Sequence, residues 1–377
     1  MNADALHERL FTIDTHSDTP TAGFASDGWD FSALHDPAVD RSQIDLPRMR
    51  AGGVDAMVFA VYVPQLARTP AGHAAIHEHA LRHFDRTHAI LGRNQTECGL
   101  ALTAEDAFRL KGEGKRAIFL SIENSYSLGR EPGNVEKFFK LGVRMLGLTH
   151  MLNNDLADSS TDPRGAEWGG LSPIGREVVA ECNRLGIVLD ASHASDDVLR
   201  DLLVHSRAPV MLSHSDCRAV CDHPRNVGDE LLLALAAKGG VIQINALPAS
   251  LVNAPGNRRT AATAEILLRY KDAVISPEIL AAEDRDYHQV AVEHPNPVVA
   301  FADFIAHIEH AAKIIGPAHV GIGCDLDGGG GHFDGLRDVA DFPNITRALV
   351  ARGWGEDALA KIWGENTLRL CRAARCA

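Results

Sequence analysis

The sequence predicts an α/β protein built as a (β/α)8 barrel, with an insertion between the seventh and eighth strands. Three observations carry that expectation. Eight short runs rich in apolar and β-branched residues punctuate the 377 residues, amphipathic stretches separate them, and glycine repeatedly stands between a helical stretch and the next run. Eight such alternations match the strand count of the barrel. A doubly wound open sheet also alternates, but no GxGxxG follows the first run, so its nucleotide-binding version loses support.

The runs are "LFTID" (10–14), "AMVFAVYV" (56–63), "AIFLSI" (117–122), "RMLGLT" (144–149), "GIVLDA" (186–191), "PVMLS" (209–213), "GVIQIN" (240–245) and "HVGIGC" (319–324). They are nearly continuous in apolar or small residues, as parallel strands covered on both faces require. "SPIGREVVAECNRLG" and "DVLRDLLVHS" read as amphipathic helices, the first stopped by Gly186. "MRAGG", "NRLG" and "AAKGG" each mark a helix end, a glycine and then a strand. More than seventy residues separate the last two runs, against roughly thirty for a helical crossover. The excess, about 248–297, holds the helix-like "AATAEILLRYKDAV" and the acidic "AAEDRDYH". An insertion of that size on a barrel is expected to act as a lid or an oligomer contact, within a single domain over 1–377.

Composition narrows the function. With 45% hydrophobic and 23% charged residues the chain can bury a large core, and its net charge of −13 disfavours nucleic acid or an anionic membrane as partner. Seven scattered cysteines without a CxxC pair read as reduced thiols, and "MNADALHERLF" lacks the basic and apolar segments of a secretory leader. No run of about 18 apolar residues is present. A cytoplasmic protein is therefore expected, although a leader already removed would leave no trace.

Barrel enzymes gather their chemistry at the carboxyl ends of the strands. Here the first run ends in His16 and Asp18, the third in Glu123 and the fourth in His150. The fifth ends in His193, the sixth in His214, the seventh in Asn245, and the eighth in Asp325 with Asp327. In a strand, residues i and i+2 share a face, so His16 and Asp18 are expected to aim at one spot. By contrast "HAAIHEHALRHFDRTH" offers His73, His77, His79 and His83 at i,i+4 spacing, but on an outer helix rich in Arg and Glu, where a solvated face is expected.

His16, Asp18, Glu123, His193 and His214 are more ligands than one tetrahedral zinc needs. With Glu123 bridging, His16 and Asp18 serve one metal, His193 and His214 the other, and a shared hydroxide completes both shells. Two metals roughly 3.5 Å apart would lower the pKa of that water and polarise a carbonyl. Imidazole with carboxylate favours zinc, with manganese or cobalt as substitutes in vitro. No lysine stands at a strand end, so glutamate is the available bridge. Asn245 either lines the pocket or caps its loop.

These motifs resemble the membrane (renal) dipeptidase family, peptidases with a dinuclear zinc site in a TIM barrel of the metal-dependent hydrolase type. The resemblance runs through "IDTHSD", "LPRMRAGGV", "SIEN", "RMLGLTH", "GLSPIGREVVAECNRLGIVLDASHAS", "PVMLSHS", "HPRNV", "VGIGCDLDG" and "IWGENTLRL". It implies the same five metal ligands and two Zn2+ per chain. It also makes His150 the substrate and oxyanion contact, Arg225 the anchor of the substrate carboxylate, and Asp325 the proton-transferring carboxylate, with Asp327 as its rival. The implied activity is hydrolysis of short peptides, including L-Xaa-D-Xaa dipeptides, by a homodimer. "ENSYSLGREPG" and "DLDGGGGHFDG" depart from the mammalian members beside the site, which bears on substrate preference. The lipid anchor of the mammalian members finds no counterpart. The alternatives are a two-metal hydrolase of another amide, lactone or ester, and a metal-binding relative without peptidase activity.

Overall fold

The computed structural model describes residues 2–26, 28–40 and 42–376. Nine parallel strands form one sheet: β1 Ile13–Ser17, β2 Ala56–Tyr62, β3 Cys98–Leu100, β4 Arg116–Glu123, β5 Val143–Gly147, β6 Val188–Asp190, β7 Met211–Ser215, β8 Val241–Ile244 and β9 Val320–Ile322. Eight of them run in the order β1-β2-β4-β5-β6-β7-β8-β9. The ring closes where Ser17 bridges Leu326 and the Asp18 N–H donates to the Leu326 carbonyl at 3.1 Å. The eight-stranded barrel expected from the sequence is the fold.

β3 was not expected. Its three residues pair with Arg116–Ile118 of β4, while β5 takes the same edge from Leu120 onward. A strand this short carries no periodicity to read.

Register fixes which side chains enter the barrel. Tyr62 stands opposite Glu123, Ala60 opposite Ser121 and Val58 opposite Phe119, so these residues share one face. Deeper in the barrel, Ile13, Val58, Phe119, Met145, Val188, Met211 and Val241 form one buried cluster with Leu368 and Cys371 of the C-terminal helix Asn366–Cys376. The opposite faces, with Met57, Phe59, Val61, Ile118 and Leu120, pack on the surrounding helices. Each such buried side chain stabilises the fold by about 1.5–3 kcal/mol.

Two bulges aim the site. Ile13 and Asp14 face Ala56 and Met57, yet Ser17 faces Phe59, so β1 carries one residue more than β2. Likewise Met211 and Leu212 face Val241 and Ile242, while Ser215 faces Ile244. Simple alternation from Ile13 would send residue 16 outward, and the bulge turns it in. His16 and His214 occupy these two stretches, so the i,i+2 argument for His16 and Asp18 is replaced by a bulge in a strand that ends at Ser17.

The helices stop and start where their caps say. Ser172 and Pro173 open Pro173–Leu185, and Gly186 closes it at φ +75°, a left-handed conformation that glycine adopts without strain. Ser195 caps Asp196–His205. The residues about 248–297 form a short helix Pro248–Leu251 and then a helical hairpin, Arg259–Tyr270 and Pro277–Glu293. The hairpin packs Ala262 and Ile266 on Val290, and Ala264 and Leu267 on Met151 and Leu152, beyond the carboxyl end of β5. Among the described residues, no helix is long and apolar enough to cross a membrane.

Candidate metal centre

Glu123 ends β4 inside the barrel mouth, and its two oxygens face different neighbours. Oε2 lies 3.4 Å from His16 Nε2, whereas Oε1 lies 3.0 Å from His193 Nε2 and 3.4 Å from His214 Nε2. Asp18 Oδ1 and Asp325 Oδ1 each stand 3.9 Å from His16 Nε2. The imidazoles of His16 and His214 lie with ring centroids 3.8 Å apart, and His150 lies 4.3 Å from His193. Three overlapping groups could each hold an ion: His16, Glu123 and His214; Glu123, His150 and His193; and His16, Asp18 and Asp325. All five residues expected as ligands converge here, with His150 and Asp325 beside them.

The donor atoms fit divalent cations. His16 Nε2, His214 Nε2 and Asp18 Oδ1 are buried without a hydrogen-bond partner, although buried polar atoms are nearly always satisfied. Gly328 leaves a space between the two aspartates: a Cβ there would lie 2.1 Å from Asp18 Oδ2 and 2.3 Å from Asp325 Oδ1. Imidazole and carboxylate in this density suit zinc.

Neighbouring groups hold the ligands in place. Ser213 Oγ lies 2.8 Å from His214 Nδ1 and donates to the Asp190 carboxylate, which also accepts from the Ser192 and Ser213 N–H groups. The Asp14 carboxylate accepts from the His16 N–H at 2.9 Å and from the Cys324 N–H at 2.9 Å, tying β1 to β9 beneath the site. Such supports fix ring orientation and raise ligand basicity. His193 and Asp325 hold φ of 66° and 59°, and Asp327 holds 66°. Left-handed backbone at residues other than glycine costs about 1 kcal/mol each and marks sites where side-chain aim matters more than local ease.

The electrostatics of the cluster favour positive charge. Burial would push the His16 imidazolium down, but Glu123, Asp18 and Asp325 carry its pKa up to about 10. Burial raises Glu123, yet His16 above all holds it well below the usual carboxylate range. Asp18 is pushed well up by burial and by Glu123. Three close carboxylates around His16 favour positive charge at this point, the role a bound cation takes. Burial pushes His193 and His214 well below their ordinary values and His150 to about 4, so these rings are neutral near pH 7. Burial raises Asp325 to about 7, with Glu123 adding and His16 and Arg225 opposing.

The remaining expected residues divide. Arg225 is 6% exposed and donates to the His214 carbonyl at 3.0 Å. It lines a cavity of about 220 Å³ with Asp18, Glu123, His150, His193 and Asp325. Asp327, the rival to Asp325, is occupied elsewhere: it accepts from Thr19 Oγ1 at 2.7 Å and from the Gln43 N–H at 2.6 Å. Asn245 is 1% exposed and its Oδ1 accepts from the Leu247 N–H at 2.9 Å, so it caps the loop and stands outside the cavity wall.

Other lining residues escaped the sequence reading. Tyr62 ends β2, its ring 4.7 Å from His150, and lines a neighbouring cavity; a phenol is not among the usual zinc ligands, so this strand end carries no such mark in the sequence. Arg259, Thr260 and Tyr287 reach the cavity from the hairpin, and no local pattern announces that. The helix Pro70–Arg93 is also not the solvated face expected. His73 pairs with Asp155 at 3.0 Å, His77 meets the Ser127 carbonyl at 3.0 Å, and His79 and His83 touch at 3.1 Å and line a second cavity beside the site. None of these four belongs to a ligand group among the described residues.

Known proteins resemble this chain along its whole length. The family model for membrane dipeptidase (peptidase family M19) matches residues 1–377. Dipeptidase verJ of Clonostachys rogersoniana is 31% identical over 371 residues, spanning 95% of this chain and 82% of that protein. The crystal structure of the probable dipeptidase PvdM from Pseudomonas aeruginosa superposes with a TM-score of 0.82 at 28% identity, over 99% of this chain and 98% of that one. A metallo peptidase from Rhodobacter sphaeroides, liganded with a phosphinate mimic of the dipeptide L-Ala-D-Ala, shares the fold at 23% identity, with a TM-score of 0.76 over 97% and 99% of the two chains.

Proposed function

The chain belongs to the membrane dipeptidase family (peptidase family M19) and is a peptidase hydrolase, and from that premise we propose that it is a two-zinc dipeptidase acting on substrates that include L-Xaa-D-Xaa. The observation that carries this reading is the division of Glu123, with Oε2 toward His16 and Oε1 toward His193 and His214. His16, Asp18 and Glu123 would hold one ion, and Glu123, His193 and His214 the other. When bound, two such ions acidify water and polarise a carbonyl.

The chain's own residues do the rest. Arg225 grips the C-terminal carboxylate of the dipeptide, a task suited to a guanidinium fork. That grip limits the substrate to short peptides and sets the scissile carbonyl over the cluster. Asp325, raised to about 7, takes the proton of the attacking water as the new C–O bond forms. His150, neutral because burial lowers it to about 4, donates its ring N–H to the developing oxyanion. Asp325 then returns the proton to the leaving nitrogen as the C–N bond breaks, and two amino acids are released.

The same proposal takes the hairpin within 248–297 as a lid over the mouth, since Arg259 and Tyr287 reach the cavity wall. It takes the protein as a cytoplasmic homodimer, in keeping with seven free thiols. The test is metal content and turnover together, on L,L-, L,D- and carboxylate-blocked dipeptides before and after chelation. Two zinc ions per chain, with turnover of free-carboxylate dipeptides lost on chelation and restored by zinc, is the expected result. Equal turnover of blocked substrates would favour a hydrolase of another amide, lactone or ester.

A further inference from the structure

Two cavities meet at the ligand cluster; both carry carboxylates, and among the described residues only the smaller carries arginines. The smaller holds Arg225, with Arg259 and His223 further along its wall. The larger, about 570 Å³, is lined by Glu283, Asp284, Asp18 and Asp327, and among the described residues no lysine or arginine faces it. Its three histidines do not offset these carboxylates, because burial lowers His79 and His150 to about 4 and lowers His83 as well. The two cavities share Asp18, His150 and Tyr287, so a substrate lying across the cluster enters both.

Glu283 is the unusual member of that wall. It lies on the Pro277–Glu293 helix of the hairpin, is only 5% exposed, and its Oε1 is buried with no hydrogen-bond partner. A buried carboxylate without a counter-charge is costly, and burial alone pushes it up to about 7. Burial, and then the charges of Tyr287, Glu283, Glu123 and Asp18, hold the Tyr62 phenol well up, so Glu283 lies within electrostatic reach of the site itself. Leu280, Tyr62 and Tyr287 supply apolar surface beside it.

We propose that Glu283 selects dipeptides whose N-terminal residue carries a cationic side chain, lysine or arginine, seated in this acidic cavity. This rests on the dipeptidase reading, with Arg225 holding the opposite end. The methylene stem packs on Leu280 and the two tyrosine rings, and the ammonium or guanidinium pairs with Glu283. An α-ammonium alone would leave most of a cavity this size unfilled.

The experiment compares kcat/KM for lysyl-glycine and arginyl-glycine with that for norleucyl-glycine, which keeps the length and lacks the charge. Glycine at the C-terminal position removes any question of chirality there. The wild type is expected to favour the cationic substrates by about tenfold or more, the scale of a charge-assisted hydrogen bond. Glu283→Gln should collapse that ratio toward one, and Glu283→Lys should shift preference toward glutamyl-glycine. A wild-type ratio near one would overturn the proposal, as would a Glu283→Gln variant that lowers all three substrates equally. If no dipeptide is turned over, the dipeptidase reading fails, and calorimetric binding of lysyl-glycine against norleucyl-glycine decides this proposal separately. Tighter binding of lysyl-glycine supports it, and equal binding overturns it.

Discussion

Arg225 illustrates how one buried side chain serves two tasks. Its guanidinium faces the cavity that holds Asp325 and Glu123, and the same group donates to the carbonyl of His214. Arg225→Ala should raise KM for dipeptides by about 10- to 100-fold, the loss of a charge-assisted contact, with a smaller change in kcat. Zinc content measured on the same variant separates the roles, since a loosened His214 would lower it. An unchanged KM would remove Arg225 as the carboxylate anchor. The choice between Asp325 and Asp327 also lies at this scale. The sequence places both after one strand and favours Asp325 as the nearer; the structure sets Asp325 3.9 Å from His16 and on the cavity wall, while Thr19 and Gln43 hold Asp327.

At the level of elements, the hairpin helix Pro277–Glu293 carries a stability cost. Glu283 has a folded pKa of about 7 against an ordinary 4.5, so its raised value favours the protonated folded form. Its contribution is complete below about pH 4.5 and is lost as pH rises to 7 and beyond. Glu283→Gln should therefore stabilise the protein by about 1–3 kcal/mol at pH 8 and change little at pH 4.5, read by thermal unfolding at both values. Equal effects at the two pH values would show that the carboxylate is not buried uncompensated. Much of this layer was legible in sequence: caps such as Ser172 with Pro173 and the stop at Gly186 are local chemistry. β3 and the bulges in β1 and β7 were not, because pairing with a distant strand decides them.

Across the whole molecule, the ligands come from β1, β4, β7 and the loops after β1 and β6, so ions bound there would staple the ring from several sides. Removal of metal by a chelator should lower Tm by on the order of 5 °C, with recovery on adding zinc, because a ligand that binds only the folded state stabilises it by mass action. No change in Tm, with metal shown to be gone, would mean that the cluster is held by its own hydrogen bonds. The helix Pro70–Arg93 belongs to this scale too. Its histidines read as an exposed face because the helix is rich in Arg and Glu and lies on the outer ring, yet the loops around Pro20, Ser127 and Asp155 fold over it and turn them inward.

The sequence by itself determined the barrel, its strand order apart from β3, and the histidines and carboxylates that stand at the strand ends, because apolar runs, caps and glycine stops act over a few residues. Tertiary structure alone decided which way His16 and His214 point; it also placed Asp325, the carboxylate the sequence favoured, on the cavity wall, and settled the two sequence options for Asn245 as a loop cap. It also decided that the hairpin brings an unpaired carboxylate to the mouth. Apart from the Asn245 cap, which is a bond to Leu247, those outcomes depend on register and on contacts between segments far apart in the chain, which no local pattern records.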